Sequence, residues 1–124
     1  MQERGFIYQS SDLDGLDQHL ATGIRTGYLG FDATATSLHV GNLVGIMALY
    51  WFQQCGHKPI SLMGGATTRV GDPSGKDDIR KLLDEKTIDD NIARIRGIFG
   101  QFLKYGRGMT EAHMVNNAVW FIII

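Results

Sequence analysis

One cysteine, Cys55, is the only thiol in this chain. Its solitude excludes an internal disulfide and a cysteine zinc cluster. Its place in an apolar helical stripe predicts a buried thiol rather than a nucleophile. Charge is sparse and balanced. Charged residues make up 20% of the 124 positions and the formal net charge is −1, which removes any whole-chain electrostatic case for nucleic-acid binding. No apolar run approaches the roughly 18 residues that span a bilayer, and Met1-Gln-Glu-Arg-Gly5 lacks the pattern of a secretory signal. The expected setting is cytoplasmic, with no membrane partner. Glycine, by contrast, is plentiful: 16 residues, well above the roughly 7% average usage, many of them in two loops.

Leu13, Leu16 and Leu20 are spaced by three and four, which predicts a short amphipathic helix capped by Ser11 or Asp12 and ended at Thr22-Gly23. Arg25 to Phe31 reads as a first strand. Beyond a loop, Val40, Leu43, Val44, Met47, Ala48, Trp51, Phe52 and Cys55 follow the spacing of a buried helix face, widened by Ile46, Leu49 and Tyr50. Gly56 is a suitable stop. His57 to Met63 reads as a second strand, so the two strands should be parallel across a βαβ unit. Asp77 to Leu83 reads as a short helix. Thr87 to Tyr105 reads as a longer one, capped by Thr87 with Asp90 and turning Ile88, Ile92, Ile95, Phe99, Phe102 and Leu103 inward. Gly106 to Gly108 is a loop, and His113 to Asn117 a third strand with a turn. The class is α/β, and the length suits one domain. The chain ends on Ala118-Val-Trp-Phe-Ile-Ile-Ile124, six of whose seven residues are large and apolar.

The segment from Gly27 to Asn42 carries the first chemical signal. A strand breaks into the hydroxyl-rich loop Asp32 to Ser37 and enters a helix with His39 and Asn42 in its first turn. Unpaired N–H groups and the positive end of the helix dipole suit a polyphosphate there. His39 and Asn42, three apart, share a face and can both donate to phosphate oxygens; Gly41 between them lets a flat ligand approach the backbone. Taken alone, a helix-start histidine such as His39 is more often a packing or capping residue, and the glycine-rich second loop is what shifts the reading towards a ligand. The second signal is Gly64-Gly-Ala-Thr-Thr-Arg-Val-Gly-Asp-Pro-Ser-Gly-Lys76, a loop at the carboxyl end of a parallel strand, where α/β sheets place ligands. It is not a P-loop: Gly71 and Gly75 are one residue too close, and Asp77 stands where Ser or Thr would hold magnesium. Asp72 suits an ammonium group better than a phosphate, or else caps the turn before Pro73.

Together these loops resemble the class I aminoacyl-tRNA synthetases, and the second narrows the resemblance to bacterial-type tyrosyl-tRNA synthetase. Gly56-His-Lys-Pro-Ile60 and Val115-Asn-Asn-Ala118 are similar to that family too, and the likeness runs from about Arg4 to Trp120. The resemblance implies a Rossmann-like (HUP-type) parallel sheet with flanking helices, incomplete here, over residues 1–124. It implies ATP-dependent activation of L-tyrosine and its transfer to tRNA(Tyr), with Mg2+ carried by the ATP, no protein-bound metal, and a homodimer in the full-length enzyme. By the same resemblance Tyr28 would meet the substrate phenol at a pocket floor, with Thr67 beside it, and Asp72 would hold the ammonium. Gly30, Asp32 and Gly41 would line the adenylate. Thr34 and His39 would hold the γ-phosphate, Asn42 would face the ribose, and Lys76 and Arg80 would reach the leaving pyrophosphate. Asn42 stands in place of the signature's last histidine, and Ala33 where proline is common. The family's Lys-Met-Ser-Lys-Ser motif, its later strands and its anticodon-binding domain are absent from these residues. Two other readings stay open: a non-catalytic ATP-binding or interaction fragment, and another nucleotidylyltransferase with the same helix signature.

Overall fold

The computed structural model describes residues 3–32, 40–65 and 85–118. Helix α1, Leu13–Ala21, begins where Asp12 leaves extended backbone and its carboxylate accepts from Gly15 N at 2.9 Å. At its far end the carbonyl of His19 accepts from Thr22 Oγ1 at 3.1 Å and Arg25 Nε at 2.8 Å. These bonds satisfy groups that a helix end leaves open. No residue of α1 is buried. Its leucine stripe instead lines an open groove of about 600 Å3, with Ile7, Phe52, Cys55 and His57 across from it.

Strand β1, Thr26–Phe31, and strand β2, Lys58–Met63, pair in parallel, and β2 pairs in parallel with β3, His113–Asn116. The order is β1-β2-β3. Helix α2, Val40–Gln54, joins the first two strands. It comes so close to β1 that a Cβ on Gly45 would lie 2.7 Å from Leu29 Cδ2. Its end is a Schellman closure: His57 N donates to Phe52 O at 3.2 Å and Gly56 N to Gln53 O at 2.9 Å. Gly56 sits there at φ +86°, a conformation that side chains resist.

Helix α3, Glu85–Phe99, covers the same face of the sheet. The core joins Phe31, Ile46, Leu49, Met63, Ile95, Phe99, Leu103 and Ala112. Gln53 ties α2 to the segment after α3: its Nε2 donates to the carbonyls of Lys104 and Thr110, each at 2.9 Å, and its Oε1 accepts from Lys104 N at 3.0 Å.

Four expectations are corrected. The buried residues of α2 are Ile46 and Leu49, while Val40, Leu43 and Val44 are exposed and so is Cys55. This helix is apolar almost all round, so periodicity does not choose its inner face. Thr87 lies inside α3 rather than at its cap. Helix α3 also stops at Phe99, six residues short of Tyr105, where Phe102 N and Leu103 N both donate to Phe99 O in a tightened last turn. The short helix expected over Asp77 to Leu83 lies outside the described residues.

Buried Ser61 meets the phenol of Tyr105 at 2.7 Å. Burial raises the Tyr105 pKa above its ordinary value, against the opposing pull of the Ser61 bond and of Arg96. An acid with a raised folded pKa stabilises fully below its unfolded pKa, and that contribution is lost as pH rises. Stability measured by denaturant titration should therefore fall above about pH 10, and the fall should be smaller in Tyr105→Phe.

Candidate active site

Most of the candidate site residues expected from the sequence fall at or beyond the carboxyl-end rim of the sheet. The register aligns Phe31, Met63 and Asn116 as the last residues of the three strands. Gly64 N donates to Phe31 O at 2.9 Å, so the two predicted loops leave the rim bonded to each other at their roots. Gly65 is buried, and a Cβ there would run into the carboxamide of Asn116, whose Oδ1 accepts from Ala118 N at 3.0 Å. A side chain at Gly65 would require the Asn116 carboxamide to shift.

Alternation along β1 decides what faces the ligand side. Gly27, Leu29 and Phe31 turn towards α2, where Phe52 meets Gly27 and Gly45 meets Leu29 and Phe31. Tyr28 and Gly30 therefore lie on the opposite face, where Tyr28 is 72% exposed and nothing stands within 4 Å of a Cβ built on Gly30. Register places Ile60 beside Tyr28 and Leu62 beside Gly30, then His113 and Val115 beside those. These four neighbours are not legible from local spacing, because a partner across strands is set by register and not by spacing along the chain. The buried Nε2 of His113 has no hydrogen-bond partner among the described residues.

Of the expected site residues, the described structure places Tyr28 and Gly30 on β1, Asp32 just past its end, and Gly41 and half-buried Asn42 in the first turn of α2. Asp32 is exposed. Thr34, His39, Thr67, Asp72, Lys76 and Arg80 lie outside the described residues. The groove beside α1 is lined by none of the expected site residues. Among the described residues no three His, Cys, Asp or Glu side chains gather as a metal site, and no helix is long and apolar enough to cross a membrane.

The family model for tRNA synthetases class I (W and Y) matches residues 23–122. The chain belongs to this family. The tyrosine–tRNA ligase of Rhodospirillum rubrum is 56% identical over 120 residues, 97% of this chain and 29% of that protein. That of Mesorhizobium japonicum is 55% identical over 122 residues, 98% and 29% of the two chains. The C-terminally truncated mitochondrial tyrosyl-tRNA synthetase of Coccidioides posadasii superposes with a TM-score of 0.74 at 30% identity, covering 98% of this chain and 35% of that one. The Aspergillus nidulans counterpart gives 0.73 at 30%, covering 98% and 37%. The chain thus spans under a third of the curated relatives it matches. Three parallel strands with flanking helices make it an incomplete Rossmann-like member of the class I synthetases, as the motifs led one to expect.

Proposed function

We propose that this chain provides the tyrosine- and ATP-binding half-site of a cytoplasmic tyrosine–tRNA ligase. The reading is carried by one observation: the tyrosine–tRNA ligase of Rhodospirillum rubrum is 56% identical along 97% of the chain; the strand that bears Tyr28 and Gly30 runs to the rim just before Asp32. In the proposed reaction a carboxylate oxygen of L-tyrosine bonds to the α-phosphorus of ATP, and the bond to the bridging oxygen of the β-phosphate breaks. Tyrosyl-adenylate forms and pyrophosphate leaves with the Mg2+ that came with ATP. The tyrosyl group then passes to tRNA(Tyr).

No proton needs to move to the protein in the first step, so the roles are those of placed charges and donors. Tyr28 meets the substrate phenol, with Thr67 nearby, and Asp72 its ammonium. Gly30, Asp32 and Gly41 border the adenylate. Thr34, His39 and Asn42 hold the triphosphate and ribose, and Lys76 and Arg80 take charge from the departing pyrophosphate. Homodimerisation and tRNA binding belong to the longer enzymes and are assigned no described residue.

The exposure of Tyr28 favours a half-site over a complete one, since charge stabilisation is strong only where water is excluded. The isolated chain should therefore bind ATP yet show no tyrosine-dependent pyrophosphate exchange above the blank. Calorimetry should find ATP binding weakened at least about tenfold in His39→Ala, from loss of a charge-assisted donor. Absence of ATP binding in the unaltered chain, or binding indifferent to His39, would overturn the proposal.

A further inference from the structure

We infer that the groove beside α1 is a docking site for an amphipathic helix of a partner protein, one that carries lysine or arginine beside its apolar stripe. The floor of the groove is apolar and open to water. Leu13 is 38% exposed and Leu16 41%. With half-buried Leu20 they form one stripe of α1 and line the groove together with Ile7 and Phe52. No residue of this nine-residue helix is buried. So short a helix is marginal by itself and is normally held by packing its apolar stripe on a neighbour. One wall of the groove is already fixed. His57 is buried, its Nδ1 accepts from Arg25 N at 3.2 Å, and its ring lies 4.8 Å from that of Phe52.

The charges say which helix fits. Three carboxylates, Glu3, Asp14 and Asp17, line the groove, and among the described residues no lysine or arginine does. The cations nearest in sequence are engaged elsewhere. Arg4 lies over the Trp51 ring at 4.4 Å, and Arg25 donates to His19 O at 2.8 Å and to Thr22 Oγ1 at 2.9 Å. Such a surface repels nucleic acid and anionic lipid. It also repels the α1 of a second copy, which brings the same carboxylates. It attracts an apolar stripe flanked by cations, which is the helix-in-groove mode of recognition. None of the residues expected to bind tyrosine or ATP lines the groove, so the inference stands apart from the proposed ligase activity.

Cys55 supplies the readout, because this sole thiol is exposed and lines the groove. The probe is a synthetic helix of about 18 residues, long enough to hold its shape, with leucines spaced by three and four and lysines beside them. A control peptide keeps the leucines and replaces each lysine by glutamate. The lysine peptide should slow maleimide labelling of Cys55 at saturation, and the glutamate peptide should bind at least about tenfold more weakly. Asp14→Asn combined with Asp17→Asn should weaken the lysine peptide by at least about tenfold and flatten its salt dependence. Leu16→Asn should weaken it as much, because an amide would be buried without a partner. Met109→Asn, at an exposed residue outside the groove, should change nothing. Circular dichroism checks each fold; should Leu16→Asn unravel α1, the paired Asp variant decides, since it leaves the leucines intact. The inference is overturned if labelling of Cys55 is unchanged by the lysine peptide, if the glutamate peptide protects as well, or if the paired variant binds undiminished. A dimer seen by light scattering and split by Leu16→Asn would overturn it too, since a second copy would then fill the groove. So would protection of Cys55 by the C-terminal remainder of the Rhodospirillum rubrum ligase, which would make the groove an internal contact.

Discussion

Phe99→Ala should destabilise the chain by about 4 kcal/mol, the range for removing a fully buried aromatic side chain. Phe99 is 0% exposed and meets Phe31 edge to face, with ring centroids 4.8 Å apart and planes at 88°. Truncation loses both the transfer term and the aromatic pairing, and it leaves a cavity between α3 and the sheet. Against a typical stability of about 5–15 kcal/mol, that leaves a large unfolded fraction in mild denaturant. The effect reaches the site as well, because Phe31 is the last residue of β1 and its carbonyl holds Gly64 N. Urea unfolding followed by circular dichroism measures the loss. A change below about 1 kcal/mol would show that the side chain is not packed as described.

His39→Ala should slow tyrosyl-adenylate formation by a factor of about 100 or more when the remainder of the Rhodospirillum rubrum ligase is supplied to the chain. One donor aimed at charge that develops in the transition state is worth about 3 kcal/mol. The loss should fall on kcat rather than on KM for tyrosine, because the imidazole is proposed to strengthen its hold as pyrophosphate departs. Single-turnover pyrophosphate release separates the two. A rise in KM with kcat intact would reassign His39 to ground-state binding, as a packing or capping residue beside ATP.

Much of the fold was legible because local rules agreed with each other. Asp12 is a cap whose carboxylate finds Gly15 N, Gly56 takes the positive φ that ends α2, and apolar segments broken by glycine loops become parallel strands. The inner face of α2 was not legible. Ile46 and Leu49 differ from Val40 and Val44 only in which side meets the sheet, and a helix apolar all round carries no record of that. The expected burial of Cys55 failed for the same reason. The end of α3 was misplaced because Phe102 and Leu103 continue the helical apolar spacing, although they are packed through a tightened turn and the Gln53 clamp.

The two loops suggest phosphate and amino-acid binding because glycine, hydroxyl and imidazole groups near strand ends carry their chemistry in the sequence itself; residues 33–39 and 66–84 lie outside the described structure. What faces Tyr28 was not readable. Ile60, Leu62, His113 and Val115 reach that face through strand register, which local spacing does not encode. Asp32 and Asn42 were picked by motif; Asp32 follows the last residue of β1, and Asn42 is the third residue of α2.

Crystals of the chain soaked with tyrosine and a non-hydrolysable ATP analogue would test the assignment most directly. The account predicts the tyrosine phenol within hydrogen-bonding distance of Tyr28, its ammonium at Asp72, and the triphosphate at His39 and Asn42, all around one hollow at the carboxyl-end rim. Ligands bound elsewhere, or Tyr28, His39 and Asp72 standing on separate surfaces, would contradict it.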